Sequence, residues 1–105
     1  MSYYVFLVTV PSMEEGEKIA QALIQEELAA CVNIIPEIIS IYKWKGNVER
    51  DEERILIIKT REEKSEKIIH KIEELHSYDT PECIGFEIDK GSGKYLDWIE
   101  RVVPL

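Results

Sequence analysis

In two stretches of this sequence, Tyr3–Val10 (YYVFLVTV) and Arg54–Thr60 (RILIIKT), apolar side chains occupy successive positions rather than alternate ones. A β-strand turns successive side chains to opposite faces of its sheet, so strands written this way need cover on both faces. A third β-branched run, Cys31–Trp44 (CVNIIPEIISIYKW), is longer, and its Pro36 lacks the N–H a sheet ladder needs, so a bulge or unpaired edge is expected there. Gly46-Asn47 is a hairpin signal. It predicts that Cys31–Trp44 and a strand from near Val48 or Glu49 to Thr60 form one extended hairpin.

Helical spacing appears between these runs. Ser12 with Glu15 makes a capping box, and Ile19, Ala20, Leu23, Ile24 and Leu28 follow at helical intervals, predicting a helix over about Met13–Leu28. Thr60 with Glu63 repeats the box ahead of Ile68, Ile69, Ile72 and Leu75, predicting a second helix that stops near His76 or Ser77. Pro81 bars its continuation, Ile84–Asp89 reads as a fourth strand, and Gly91-Ser92-Gly93 leads into a last helix carrying Tyr95, Leu96, Ile99 and Val102. The order βαββαβ plus a terminal helix is an α+β, ferredoxin-like (split βαβ) arrangement: an antiparallel sheet with helices on one face and an extra C-terminal helix. With 105 residues, 45% of them hydrophobic, the whole chain 1–105 reads as a single domain.

The bare second face must meet something. A net charge of −8 argues against nucleic acid and anionic membrane, and no apolar run approaches the ~20 residues that span a bilayer. The first ten residues have no basic region ahead of their apolar stretch, so the expected location is cytoplasmic. Self-association is then the simplest way to cover the face, and Tyr42 and Trp44 near the hairpin tip suit an interface, or else a local cluster at the hairpin end.

Chemistry is sparse. Cys31 and Cys83 are too few and too far apart in sequence for a disulfide scaffold or a zinc ribbon. The segment His76–Cys83 gathers an imidazole, a phenol, carboxylates at Asp79 and Glu82, and a thiol, a set soft enough for copper or zinc; the alternative is a helix C-terminus, a turn and a buried small side chain. Lys59 closes an apolar strand, to bind an anion or to pair with a carboxylate such as Glu53. Glu49, Asp51, Glu52 and Glu53 form an acidic run that holds hard cations weakly or simply solvates a strand edge. Gly91-Ser92-Gly93-Lys94 lacks the length of a phosphate loop, and no serine lies in a nucleophile elbow, so no enzymatic activity is expected.

Five segments in order, Leu28–Asn33 (LAACVN), Tyr42–Gly46 (YKWKG), Ile57–Thr60 (IIKT), His76–Glu82 (HSYDTPE) and Tyr95–Ile99 (YLDWI), resemble the CutA divalent-cation tolerance family over nearly the whole chain. The resemblance implies a ferredoxin-like subunit in a tight, PII-like homotrimer that binds divalent metal ions, copper in particular, without catalysing a reaction. It points to His76, Cys31 and Cys83 as metal donors, and to Trp44, Glu53, Lys59, Tyr78, Asp79 and Glu82 as lining an intersubunit cleft. The alternative it implies is a PII-like sensor trimer binding a small anionic ligand or a partner protein there. Two departures bear on the metal: Ser77 replaces the proline of the family's His-Pro-Tyr, and Val8 and Leu75 stand where some members carry a cysteine and a second histidine.

Overall fold

A computed structural model of the chain describes residues 2–105. Strands β1 (Tyr3–Val10), β2 (Cys31–Trp44), β3 (Asn47–Arg61) and β4 (Cys83–Glu87) form one antiparallel sheet in the order β2-β3-β1-β4. Helices α1 (Met13–Gln25) and α2 (Ser65–Leu75) supply the crossovers, and α3 (Gly93–Val102) ends the chain. The ferredoxin-like α+β expectation holds.

The unbroken apolar runs divide between the two faces as the strand period requires. Phe6, Val8 and Val10 of β1 and Leu56 and Ile58 of β3, with Ile19 and Leu23 of α1 and Ile68 and Ile72 of α2, make the main core, Phe6 in register with Ile58 and Val8 with Leu56. Val5, Leu7, Ile55 and Ile57 turn the other way. That second face receives α3 at one end only, where Ile99 and Val103 are buried with Ala30, and Tyr3 packs alongside. Arg61 locks the contact by donating from Nη1 to the Val103 carbonyl at 3.0 Å, and the Tyr3 hydroxyl donates to Glu100. The rest of the face is open, with Ile35 of β2 and Ile84 and Phe86 of β4 exposed.

Beyond the last β1–β3 pair, Val10 with Arg54, strands β2 and β3 continue alone from Ile38–Glu53 to Trp44–Asn47. This overhanging arm is about 20 Å long at ~3.3 Å per residue and accounts for the elongated 44 × 25 × 23 Å outline. At its root the register slips, Pro36 and Glu37 facing Arg54 between the Ile35–Ile55 and Ile38–Glu53 pairs, which is the bulge expected at Pro36.

Several element ends differ from the sequence reading. The tip turn is Lys45-Gly46 rather than Gly46-Asn47, both residues having positive φ (51° and 84°), as a two-residue hairpin turn demands. Replacing Lys45 by asparagine, which tolerates that conformation better, is expected to stabilise the protein by about 0.5 kcal/mol. A chemical-denaturation midpoint that does not rise would contradict it. Helix α1 stops at Gln25 instead of Leu28 because Glu27 takes φ 58° and turns Leu28 and Ala29 into the core. The Thr60–Glu63 capping box does not form. Thr60 is fully buried in β3 and donates its hydroxyl to the Leu28 carbonyl at 2.6 Å, while Glu63 pairs with Arg61 at 3.1 Å. Strand β4 closes at Glu87, short of Asp89.

Candidate functional site

The candidate residues separate into three places. At the end of β1, the turn after α2 brings His76 and Tyr78 against Glu53 at the root of the arm. His76 is only 8% exposed. Its Nε2 lies 2.7 Å from the Thr9 carbonyl, so Nε2 carries the proton; its Nδ1 accepts the Tyr78 backbone N–H at 3.0 Å. Both ring nitrogens are therefore engaged, Nε2 as donor and Nδ1 as acceptor, and the ring lies 4.7 Å from that of Tyr78. Glu15 of α1 completes the cluster. Its Oε2 accepts the Ser77 N–H at 2.9 Å and lies 3.4 Å from His76 Nδ1. The Tyr78 hydroxyl donates to Glu53 Oε2 at 2.7 Å, and Glu53 is 5% exposed.

Glu15 was visible in the sequence only as the fourth residue of a capping box. Ser12 does cap α1, accepting the Glu15 N–H at 3.2 Å, but the glutamate side chain leaves the helix for the turn after α2. The partner across 62 residues has no local signal.

At the other end of the sheet, on the open face, Cys31 and Lys59 are cross-strand partners. The Cys31 thiol donates to Asn33 Oδ1 at 3.8 Å, and Lys59 Nζ donates to the same oxygen. Lys59 therefore meets Asn33 rather than Glu53. Tyr95 of α3 closes over Cys31, and burial together with that thiol holds its phenol above the ordinary range.

Cys83 lies elsewhere. Its pairing with Val8 puts it on the helix side of the sheet, packed against the main core, whereas Cys31 is on the open side three strands away, about 14 Å at ~4.8 Å per strand. His76, Cys31 and Cys83 do not converge within one chain, and among the described residues no three His, Cys, Asp or Glu side chains are placed to hold a metal ion. Val8 is fully buried and Leu75 packs on the core, so neither family departure leaves a polar gap. Trp44 is exposed at the arm tip beside Tyr42, whose hydroxyl donates to Asp51, and Asp79 and Glu82 are exposed in the loop before β4.

Burial, with Glu73 and Glu82 nearby, pushes the Cys83 thiol from 9.0 to about 11, and burial plus the bond to Glu53 pushes the Tyr78 phenol well above its ordinary 10.0. Both groups hold their protons more tightly folded than unfolded. The stability they contribute is complete below pH 9 and is lost as pH rises, from 9 to about 11 for Cys83 and from 10 upward for Tyr78. The urea midpoint should fall across that range, and less steeply above pH 10 in Tyr78→Phe; a flat profile contradicts the assignment.

The CutA1 divalent ion tolerance protein family pattern matches residues 4–102. The chain is 45% identical over 97 residues to the divalent-cation tolerance protein CutA of Thermus thermophilus, covering 92% of this chain and 94% of that protein. It is 49% identical over 97 residues to the chloroplastic protein CutA of Arabidopsis thaliana, covering 92% of this chain and 53% of the relative, so it spans about half of that protein's length. The crystal structure of CutA1 from Oryza sativa superposes with a TM-score of 0.96 at 43% identity, over 99% of this chain and 95% of that one. The corresponding structure from Archaeoglobus fulgidus gives 0.95 at 39% identity, over 97% of this chain and 99% of the other. A pattern spanning nearly every element, on the same backbone, means that this chain belongs to the CutA1 divalent ion tolerance protein family.

Proposed function

We propose that the protein acts in divalent-cation tolerance as a non-enzymatic, cytoplasmic homotrimer that binds divalent metal ions, copper among them, where its chains meet. The observation that carries this reading is the open apolar sheet face beside an arm that leaves its own domain. Ile35, Ile84 and Phe86 are exposed there, and Ile41, Tyr42, Trp44 and Val48 are exposed along the arm. A second copy provides cover for both. The thiol of Cys31 opens onto the same face, and the carboxylates of Glu49 and Asp51 share one side of the arm, so donors from different chains supply what one chain does not assemble.

Calorimetric titration of the reduced, metal-free protein with Cu²⁺ and Zn²⁺, with light scattering for mass, tests the reading. It expects saturable binding at a fixed stoichiometry per trimer, weakened at least tenfold in Cys31→Ser. A monomer, or weak binding unchanged by that substitution, overturns it.

Lys59 supports a second reading, a PII-like sensor for a small anion. In a chain carrying 21 acids, this half-buried ammonium has Asn33 and no carboxylate as its partner among the described residues. Thermal stabilisation by inorganic phosphate or a dicarboxylate, abolished in Lys59→Ala, would favour it.

A further inference from the structure

Past Val10 the arm is held to the body by its own two strands, and one of these is bulged at Pro36-Glu37. A two-stranded ribbon with a bulge at its root bends easily there. Among the described residues, a side-chain hydrogen bond crosses from the body to that root: Tyr78 Oη donates to Glu53 Oε2, and Glu53 is the first paired residue of β3 beyond the end of β1. Tyr78 is itself placed by two bonds from residues 76 and 77 to different elements and by a third within the segment. The His76 ring donates to Thr9 of β1, the Ser77 N–H donates to Glu15 of α1, and the Tyr78 N–H donates to the His76 ring.

We propose that residues 76–78 are a strap that sets the direction of the arm, with His76 and Glu15 as its positioning residues, and that fastening this strap, rather than holding a cation, is what the His76 imidazole does. The lone pair a metal would need on Nδ1 is the one that accepts the Tyr78 N–H. Ligation there would release Tyr78 from the ring that places it. Because the arm is the element that leaves the body, fixing its direction fixes where a second copy docks; that last step rests on the homotrimer reading.

Amide hydrogen exchange, resolved over residues 38–53 and over the body, tests the strap in the full-length protein. Tyr78→Phe keeps the ring and removes the bond to Glu53, so arm exchange is expected to rise about tenfold, the weight of one partly buried hydrogen bond, with the body unchanged. Glu53→Gln keeps an acceptor for the hydroxyl and is expected to stay close to wild type. Unchanged arm exchange in Tyr78→Phe, or an equal rise in arm and body, overturns the strap. In ¹⁵N spectra the His76 ring should show the Nε2–H tautomer and keep it under excess Zn²⁺; signals that shift or broaden with zinc overturn its positioning role. The mass of the wild-type protein reports separately on assembly, since a monomer sinks the homotrimer reading and leaves the exchange comparison valid.

Discussion

Replacing Gly85 by alanine is expected to destabilise the protein by about 3 kcal/mol, the upper end for forcing atoms into a filled core. Gly85 sits opposite Phe6 in the β1–β4 ladder, and the Phe6 ring lies across its backbone. A methyl group added there would stand 2.4 Å from one ring carbon and 2.7 Å from two others. The ring has little room to yield. Phe6 is 3% exposed and part of the main core, and Tyr4 stacks beside it with ring centres 6.2 Å apart. Either β4 peels away from β1 or the ring leaves its rotamer, and both cost packing. Urea denaturation of Gly85→Ala measures the loss. Gly93→Ala is the control, because a methyl there meets nothing within 4 Å, and its midpoint should hardly move. Adding Phe6→Leu to Gly85→Ala should restore part of the loss, a coupling that separates a steric clash from a lost backbone conformation. An unchanged midpoint in Gly85→Ala would mean the ring is not seated on the glycine.

The strand runs were readable because β-branched and aromatic side chains dominate them: β1 begins and ends at Tyr3 and Val10, and β2 at Cys31 and Trp44, where the residues alone place them. Helix ends were less so. Ser12 caps α1 as its spacing suggests, while Thr60 offers α2 the same spacing and spends its hydroxyl on the Leu28 carbonyl, a partner that exists only after the sheet has formed. Tertiary contact overrides a local signal wherever the capping side chain is buried. The same limit governs the site. His76, Tyr78 and Glu53 were each marked by the family resemblance, and they do meet. What joins them is the end of β1 and the glutamate of α1, a meeting of four elements that no single segment records. Cys31 and Cys83 show the converse. As thiols they look equivalent in the sequence, and strand parity sends one to the open face and the other to the core.

Replacing His76 by alanine is expected to cost about 3 kcal/mol, and the reason is the wiring of the ring rather than its affinity for a metal ion. Removing the imidazole strands the Thr9 carbonyl and the Tyr78 N–H, each worth about 1–3 kcal/mol when buried without a partner, and leaves a cavity at the junction of α2 with β1. The side chain has no exposed surface to lose, so solvent offers little compensation before the turn opens. His76→Gln sharpens the test. Its amide N–H can reach toward the Thr9 carbonyl, but one side chain of that shape does not also present an acceptor to the Tyr78 N–H, so about half of the loss should return. Urea denaturation of the three proteins at neutral pH gives the ranking: wild type, then glutamine, then alanine. Equal stability of alanine and wild type would show that the ring is not structural. The ranking also governs how any cation titration of this protein is read. A His76→Ala variant that no longer binds Cu²⁺ has lost the turn that places Tyr78, Glu53 and the root of the arm, so weakened binding identifies a ligand only if the variant's stability and arm exchange match wild type. Cys31→Ser has less of that ambiguity: its thiol meets Asn33 at a long 3.8 Å and Tyr95 of α3, takes no part in the turn after α2, and lies on the face where a neighbouring chain would sit, which makes it the cleaner probe of a metal shared between chains.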